Sequence, residues 1–264
     1  MRTLGVCFMA LALPVALFAA CTVQQQTVGG EPVVVLENDL VRVTVAPLRG
    51  GQISDLVAKA TGKHLCADET GLFVDRVWNY DDPQIYQQWA KLPYEFKLKG
   101  GGAEASVELT RRGNGDVAGR MIIHKTFSLT DGNTAVRADY RFEIAQEAMA
   151  PMRIGMWFHG RPGVRGERNT FYIPSDGKVQ EIAYGAGAKG EYWWYQPERG
   201  WLAARGESGD GLAIGMEYKR LMLFYQWLHD AMPGLEWAFR SFDITNGETL
   251  DTTAWLVPFT GLPN

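Results

Sequence analysis

The stretch LENDLVRVTVAPLRGGQISDL, Leu36–Leu56, decides the fold class. In its first half, apolar residues alternate with polar ones at Val41, Val43 and Val45. Such a period of two is the pattern of a strand that buries only one of its faces. Gly50-Gly51 then predicts a turn, and the run that starts at Gln52 predicts a second strand. The stretch therefore predicts two consecutive strands with one apolar and one polar side, as antiparallel sheets have.

The same alternation recurs along the rest of the chain, in roughly fifteen segments separated by short Gly-rich or Asp/Asn-containing turns. Helix signals are scarce: Asp81-Asp82-Pro83 predicts one or two helical turns that reach Trp89. Strands do not alternate with helices, and no repeat of about 20–50 residues is visible. We therefore predict an all-β fold with little helix, built as a large antiparallel sandwich or barrel.

The composition fits a globular protein that binds neither nucleic acid nor a metal. Of the 264 residues, 46% are hydrophobic and 21% charged, which argues against disorder. The formal net charge of −4 gives no basic surface for nucleic acid. Four scattered His residues have no zinc-site spacing, and no nucleotide-binding or metalloprotease motif is present. We expect no metal and no cofactor.

The N-terminal segment predicts export. The apolar run 4–20 is short and contains Pro14, which suits a signal peptide better than a membrane span. Its end, Leu17-Phe18-Ala19-Ala20-Cys21, resembles a bacterial lipobox, in which the Cys is lipidated. We predict a signal peptide at 1–20, a lipid anchor on Cys21 at the outer membrane or in the periplasm, a polar tether at 21–31 and a single domain at 32–264. The alternative is an ordinary cleaved signal, after which a Cys21–Cys66 disulfide is possible.

Two segments resemble galactose mutarotase-like domains. Leu36–Leu56, followed by Thr61-Gly62-Lys63-His64-Leu65, is similar to the opening of these domains. Phe242–Thr249, followed by Trp255-Leu256-Val257-Pro258-Phe259, is similar to their ending. The resemblance implies an antiparallel β-supersandwich whose concave face binds sugars. This family includes aldose epimerases and also domains of polysaccharide lyases and glycoside hydrolases, so the fold alone does not define the chemistry.

The resemblance also implies candidate site residues. In the epimerases, a mid-chain His and a late Glu transfer protons on opposite sides of the sugar ring oxygen, and His159 and Glu236 fall at these positions. Arg76 matches an early sugar-binding Arg, and Asp176 matches a carboxylate after the His. The sequence departs from the family where Gly160-Arg161-Pro162 replaces a Tyr-Phe-Asn sequence. Asn79-Tyr80 also lies where the epimerases carry an earlier His.

Aromatic residues give a second signal for a sugar. Tyr192-Trp193-Trp194-Tyr195 places four rings in one stretch, and strand alternation sends them to both faces. We predict sugar contact for one of Trp193 and Trp194. Further candidate contacts in the same groove are Trp78, Trp157 and Trp227. Core packing is the alternative for several of these rings.

Three interpretations of the function stay open at this point. The first is a carbohydrate-binding or carbohydrate-active domain whose partner is a sugar or polysaccharide. The second is a lyase, in which His159 abstracts a proton while Arg161, Arg165 and Arg168 neutralise a uronate carboxylate. The third is a structural lipoprotein without catalytic activity, whose groove contacts another protein.

Overall fold

The computed structural model describes residues 20–79, 92–113, 121–144, 152–184, 189–195, 197–228, 234–239, 242–244 and 249–261. The predicted signal peptide, apart from Ala20, lies outside these residues, as does the predicted short helix at 81–89. The described residues form twenty strands and one 3₁₀ turn, Tyr218–Arg220.

The strands are numbered in chain order: β1 Thr22–Val28, β2 Glu31–Glu37, β3 Val41–Ala46, β4 Gln52–Ala58, β5 Lys63–His64, β6 Val74–Asn79, β7 Glu95–Gly100, β8 Glu104–Arg112, β9 Met121–Thr130, β10 Val136–Ile144, β11 Met152–Gly160, β12 Asn169–Ser175, β13 Lys178–Ala183, β14 Gly190–Tyr195, β15 Trp201–Gly206, β16 Gly211–Met216, β17 Leu221–Leu228, β18 Gly234–Phe239, β19 Phe242–Ile244 and β20 Thr249–Phe259.

All pairings between these strands are antiparallel, and they form three sheets. The five-stranded sheet has the order β1-β2-β3-β4-β5. The nine-stranded sheet has the order β13-β12-β15-β16-β20-β10-β9-β8-β7. In the six-stranded sheet, the first four strands have the order β14-β17-β18-β11. Both β18 and β19 pair with one edge of β11, and β6 pairs with its opposite edge. The predicted all-β antiparallel supersandwich is confirmed.

The core lies between the nine-stranded sheet and the two smaller ones. Phe127 and Tyr140 of the nine-stranded sheet meet Phe158 and Trp237 of the six-stranded sheet around the ring of Phe73. The valines of β3 belong to the same cluster of buried side chains, and β1 and β2 lie against β7, β8 and β9. One continuous apolar core therefore contains side chains from all three sheets.

The predicted polar tether is wrong, because the segment is part of the fold. Residues 22–28 form β1 and pair along their whole length with β2. Cys21 exchanges backbone hydrogen bonds of 2.8 and 2.9 Å with Gly102, and its side chain is only 1% exposed. Gln24, Gln25 and Gln26 made the segment look like a linker, but backbone pairing at a sheet edge does not require apolar side chains.

Sequence patterning found most strands and missed five. The alternation predicts strands at residues 52–57, 121–129 and 136–144, and the structure has β4, β9 and β10 there with limits that agree to within one residue. β1, β2, β5, β6 and β14 were not predicted as strands. β2 is almost continuously apolar, and β6 and β14 mix charged and aromatic residues. None of these three strands therefore shows the alternation of a strand with one solvent-exposed face.

In the described part of the chain, no helix has both the length and the apolar character needed to span a membrane.

Candidate functional site

A single row of side chains crosses the six-stranded sheet on the face that points away from the core, called here the outer face. His159 of β11 lies directly opposite Glu236 of β18, and Glu236 lies opposite Tyr225 of β17. Tyr225 in turn lies opposite Trp193 of β14. Directly opposed residues of antiparallel strands point to the same face. The register therefore places a His, a Glu and two aromatic residues side by side.

Arg76 joins this row from the other side of β11. Its backbone lies opposite Trp157, two residues before His159, so Arg76 and His159 share a face. The guanidinium reaches across β11 and donates a 2.8 Å hydrogen bond to Glu236 Oε1. His159 Nδ1 lies 2.9 Å from the same oxygen. The structure thus brings together the three polar residues that the resemblance singled out.

The hydrogen bond between His159 and Glu236 defines which nitrogen of the His159 ring carries a proton. An ionised carboxylate only accepts hydrogen bonds, so Nδ1 must carry the proton. In the neutral imidazole, Nε2 then keeps its lone pair and can accept a proton from a ligand. His159 and Glu236 are 5% and 4% exposed, so the part of a ligand that contacts them is shielded from bulk water. The pair combines a proton acceptor, a carboxylate and a nearby cation in one enclosed place.

Gly234 makes room for the imidazole. A Cβ at this position of β18 would come within 2.8 Å of His159 Cε1, closer than real contacts allow. Gly234 lies two residues before Glu236, on the same face of the strand. The glycine therefore lets the Cε1 edge of the His159 ring approach the neighbouring strand beside Glu236.

The four consecutive aromatic residues of β14 divide between the two faces of the sheet. Trp193 is 44% exposed on the outer face, with its ring centroid 4.3 Å from that of Tyr225 and nearly parallel to Tyr195 at 6.0 Å. Trp194 points into the core and is only 9% exposed. Of the two predicted candidates, Trp193 can therefore contact a ligand on the outer face, whereas Trp194 cannot.

Other predicted contacts have different outcomes. Trp227 lies opposite Gly234 on the outer face and is exposed. Trp78 and Trp157 occupy positions in β6 and β11, but their side chains lie outside the described part of the structure. Asp176 does not join the row, because it forms the β12–β13 hairpin turn in the nine-stranded sheet. Asp176 and Gly177 both have positive φ, of 56° and 74°, as a tight Asp-Gly hairpin turn requires.

The arginines of the lyase interpretation already have carboxylate partners. Arg161 binds Asp68, Arg165 lies 3.3 Å from Asp55, and Arg168 lies 2.9 Å from Glu207. Burial alone would raise the pKa of Asp68, but hydrogen bonds from Arg161 and from the Thr70 backbone hold it below the ordinary value. These arginines tie surface loops together, so they do not form a cluster prepared for a uronate.

Sequence patterning missed a second charged cluster, which lies inside the sandwich. Lys125 of β9 donates to Asp75 Oδ2 at 2.6 Å and to the Gly50 carbonyl oxygen at 2.7 Å. Tyr94 and Tyr140 donate to the two oxygens of Asp75 at 2.7 and 2.9 Å. Burial lowers the pKa of Lys125, and Asp75 opposes this shift. The one available signal was a lysine at an apolar position of an alternating strand.

A depression of about 540 Å³ lies elsewhere, on the solvent face of the nine-stranded sheet. Its charged side chains pair with one another: Arg137 pairs with Asp139 along β10, and His124 of β9 pairs with Glu143 of β10. Paired charges of this kind are typical of a solvated sheet face. Nor do the described residues contain a group of three metal-ligating side chains.

Comparison with known structures defines the class of fold. A galactose mutarotase-like protein from Lactobacillus casei superimposes with a TM-score of 0.59 at 13% identity, over 86% of this chain and 100% of that one. A GalM/aldose epimerase homologue from C. elegans gives a TM-score of 0.55 at 8% identity, over 91% and 99%. The protein therefore has the galactose mutarotase-like supersandwich fold, as the two terminal segments predicted.

A TPR-domain-containing protein from Parabacteroides distasonis is also similar, with a TM-score of 0.63 at 15% identity over 89% of this chain. The present chain spans about half of that protein, 48% of its length. No protein-family model matches the sequence, and no curated protein matches it either.

Proposed function

We propose that this protein binds a carbohydrate on the outer face of the six-stranded sheet. The observation that carries the proposal is the convergence of Arg76, His159 and Glu236, three residues far apart in the chain, in a row that continues through Tyr225 to the exposed ring of Trp193. A pyranose has polar hydroxyls at its rim and apolar C–H groups on its faces. Charged hydrogen-bonding groups next to an aromatic ring match both parts of this surface.

Each polar group has a distinct role in this proposal. Glu236 accepts hydrogen bonds from ligand hydroxyls, with Oε2 left unused by its contacts to Arg76 and His159. Arg76 donates to hydroxyl or ring oxygens, and His159 Nε2 accepts from one more hydroxyl. Hydrogen bonds to charged groups are the stronger ones, at about 1.5–3 kcal/mol each. The site therefore favours a ligand that presents several hydroxyls within the width of one ring.

Proton transfer at the anomeric centre of an aldose is a second candidate, favoured by the His159–Glu236 hydrogen bond. The resemblance led us to expect the two groups on opposite sides of the ring oxygen, whereas they are neighbours on adjacent strands. Since the anomeric hydroxyl and the ring oxygen are bonded to the same carbon, two neighbouring groups suffice. The step balances when His159 is in its imidazolium form: Glu236 Oε2 takes the proton of the anomeric hydroxyl while His159 donates its Nε2 proton to the ring oxygen as the C1–O5 bond breaks, and ring closure returns both protons.

A glycan array with neutral and uronic oligosaccharides, followed by calorimetric titration of any saccharide that binds, tests the proposal. We expect H159Q and E236Q each to weaken binding roughly 10- to 100-fold. The matched controls are H124Q and E143Q, because these residues form a His–Glu contact of 3.3 Å on the nine-stranded sheet. Equal losses in both pairs, or no bound saccharide at all, would overturn the proposal, and the second result would favour the structural interpretation. Polarimetry on the same variants measures anomer interconversion, for which we expect a roughly 10²–10⁴-fold loss of turnover.

Lipid anchoring through Cys21 is a separate proposal, which rests on the lipobox-like sequence. The structure adds a constraint, because a diacylglyceryl group on Sγ cannot occupy the enclosed position of the Cys21 side chain. A lipidated protein must therefore release the Cys21–Gly102 pairing, while β1 beyond it can stay paired with β2. We expect C21S to move the protein from the membrane fraction to the soluble fraction. A wild-type protein that is already soluble would refute the anchor.

A further inference from the structure

The outer-face row changes in character from one end to the other. At β11 and β18, the polar groups of His159 and Glu236 are almost enclosed. At β17 and β14, Tyr225 is half-buried and Trp193 is exposed, and Tyr195 beyond it is 66% exposed. The row therefore runs from an enclosed polar end to an open aromatic end at the sheet edge.

The length of the row exceeds that of one sugar ring. Neighbouring strands lie about 4.8 Å apart, so three strand spacings separate His159 from Trp193 by roughly 14 Å. In an extended saccharide, each added ring lengthens the chain by about one such spacing. A single ring held by His159 and Glu236 would therefore not reach Trp193.

We propose that the site takes the end of a linear oligosaccharide of about three rings, which lies across the strands. The terminal ring lies in the enclosed end against Arg76, His159 and Glu236. The second and third rings follow over Tyr225 and Trp193 and leave the site at the sheet edge. This inference rests on the proposed function and names its ligand class: a chain terminus, in place of a free monosaccharide or the middle of a polymer.

The geometry of the aromatic end supports this assignment. Trp193 packs against Tyr225 at 4.3 Å, and the near-parallel ring of Tyr195 continues the surface along the strand. Rings held by such contacts lose little conformational entropy when a ligand stacks on them. On the far side of the sheet, the opposed residues Trp194, Phe224 and Trp237 are buried, which fixes the strands that carry the platform.

A length series tests the inference. Calorimetric titrations would use cello-, malto-, xylo-, chito- and galacturono-oligosaccharides from one to six rings. In the series that binds, we expect the affinity to rise with each ring up to about the third and then to stay constant. W193A should weaken binding of the trisaccharide roughly five- to tenfold and so remove the gain from the outer ring. The control is W255A, because Trp255 is 38% exposed on the solvent face of the nine-stranded sheet.

Recognition of the chain end is tested with the polymer of the same series. At equal mass, halving the average chain length doubles the number of ends, so we expect the protein bound at saturation to double. Binding that follows polymer mass, or a monosaccharide that binds as tightly as the trisaccharide, would overturn the inference while the proposed function stands. If no series binds at all, the proposed function fails and the inference fails with it.

Discussion

Asp75 and Arg76 are consecutive residues of β6, and each belongs to a charged cluster on a different face of the six-stranded sheet. On the core face, Asp75 accepts hydrogen bonds from Lys125, Tyr94 and Tyr140 through both of its oxygens. On the outer face, Arg76 and His159 both bind one oxygen of Glu236. Both oxygens of Asp75 therefore have hydrogen-bond donors, whereas both described donors to Glu236 bind Oε1, not Oε2.

This difference separates a structural role from a functional one. A buried charge is tolerated when every one of its hydrogen-bonding atoms has a partner, and such a cluster has nothing left for a ligand. A cluster next to exposed rings can exchange its internal hydrogen bonds for bonds to a ligand. The buried pair Lys125–Asp75 therefore fixes how the two large sheets meet, and the outer cluster is the candidate site.

The largest effect on stability should come from removing the buried cation. K125M leaves the Asp75 carboxylate without its counter-charge, and we expect a loss of about 3–5 kcal/mol in the free energy of unfolding. The double variant K125M/D75N removes the uncompensated charge as well and should recover part of this loss. Urea unfolding followed by tryptophan fluorescence measures both values. A neutral effect of K125M would contradict the view that an ion pair holds the sheets together.

A smaller loss is expected when one donor to Asp75 is removed. Y140F keeps the ring in the core and deletes the hydroxyl that donates to Asp75 Oδ1, so we expect a loss of about 1.5–3 kcal/mol. The control is Y172F, whose hydroxyl accepts a 3.3 Å bond from the half-buried Arg205 and should change stability by less than about 1 kcal/mol. Equal losses in the two variants would show that the Tyr140 hydroxyl in the inner cluster contributes no more to stability than a hydroxyl on the solvent face.

G234A should have the smallest effect on stability and should clearly weaken ligand binding at the outer cluster. G234A forces the His159 ring away from β18, and we expect roughly tenfold weaker saccharide binding and only about 1 kcal/mol lower stability. The control is G215A, because a Cβ at Gly215 of β16 would have an ordinary 3.7 Å contact with Trp255. If G234A bound saccharides as tightly as the wild type, the orientation of His159 would not matter for the ligand.

Residues 50–51 illustrate how far sequence patterning reached. The glycine pair predicted a turn, and both residues have positive φ, of 71° and 56°. The structure adds a second reason for them, because the Gly50 carbonyl accepts from Lys125, and a Cβ on Gly51 would lie 2.9 Å from Lys125 Cε. Local conformational preference can be inferred from the neighbouring residues, but the approach of a lysine 75 positions later cannot.

The sequence by itself determined most of the strands, since the alternation of apolar and polar residues reflects one buried and one solvent-exposed face. The two terminal segments also determined the fold class through their resemblance to mutarotase-like domains, and residue order within it singled out Arg76, His159 and Glu236. Only the tertiary structure decided that these three meet, that Trp193 faces outward while Trp194 faces the core, and that Cys21 and β1 belong to the fold. These outcomes depend on strand register and sheet order, which long-range backbone pairing sets and which no local pattern encodes.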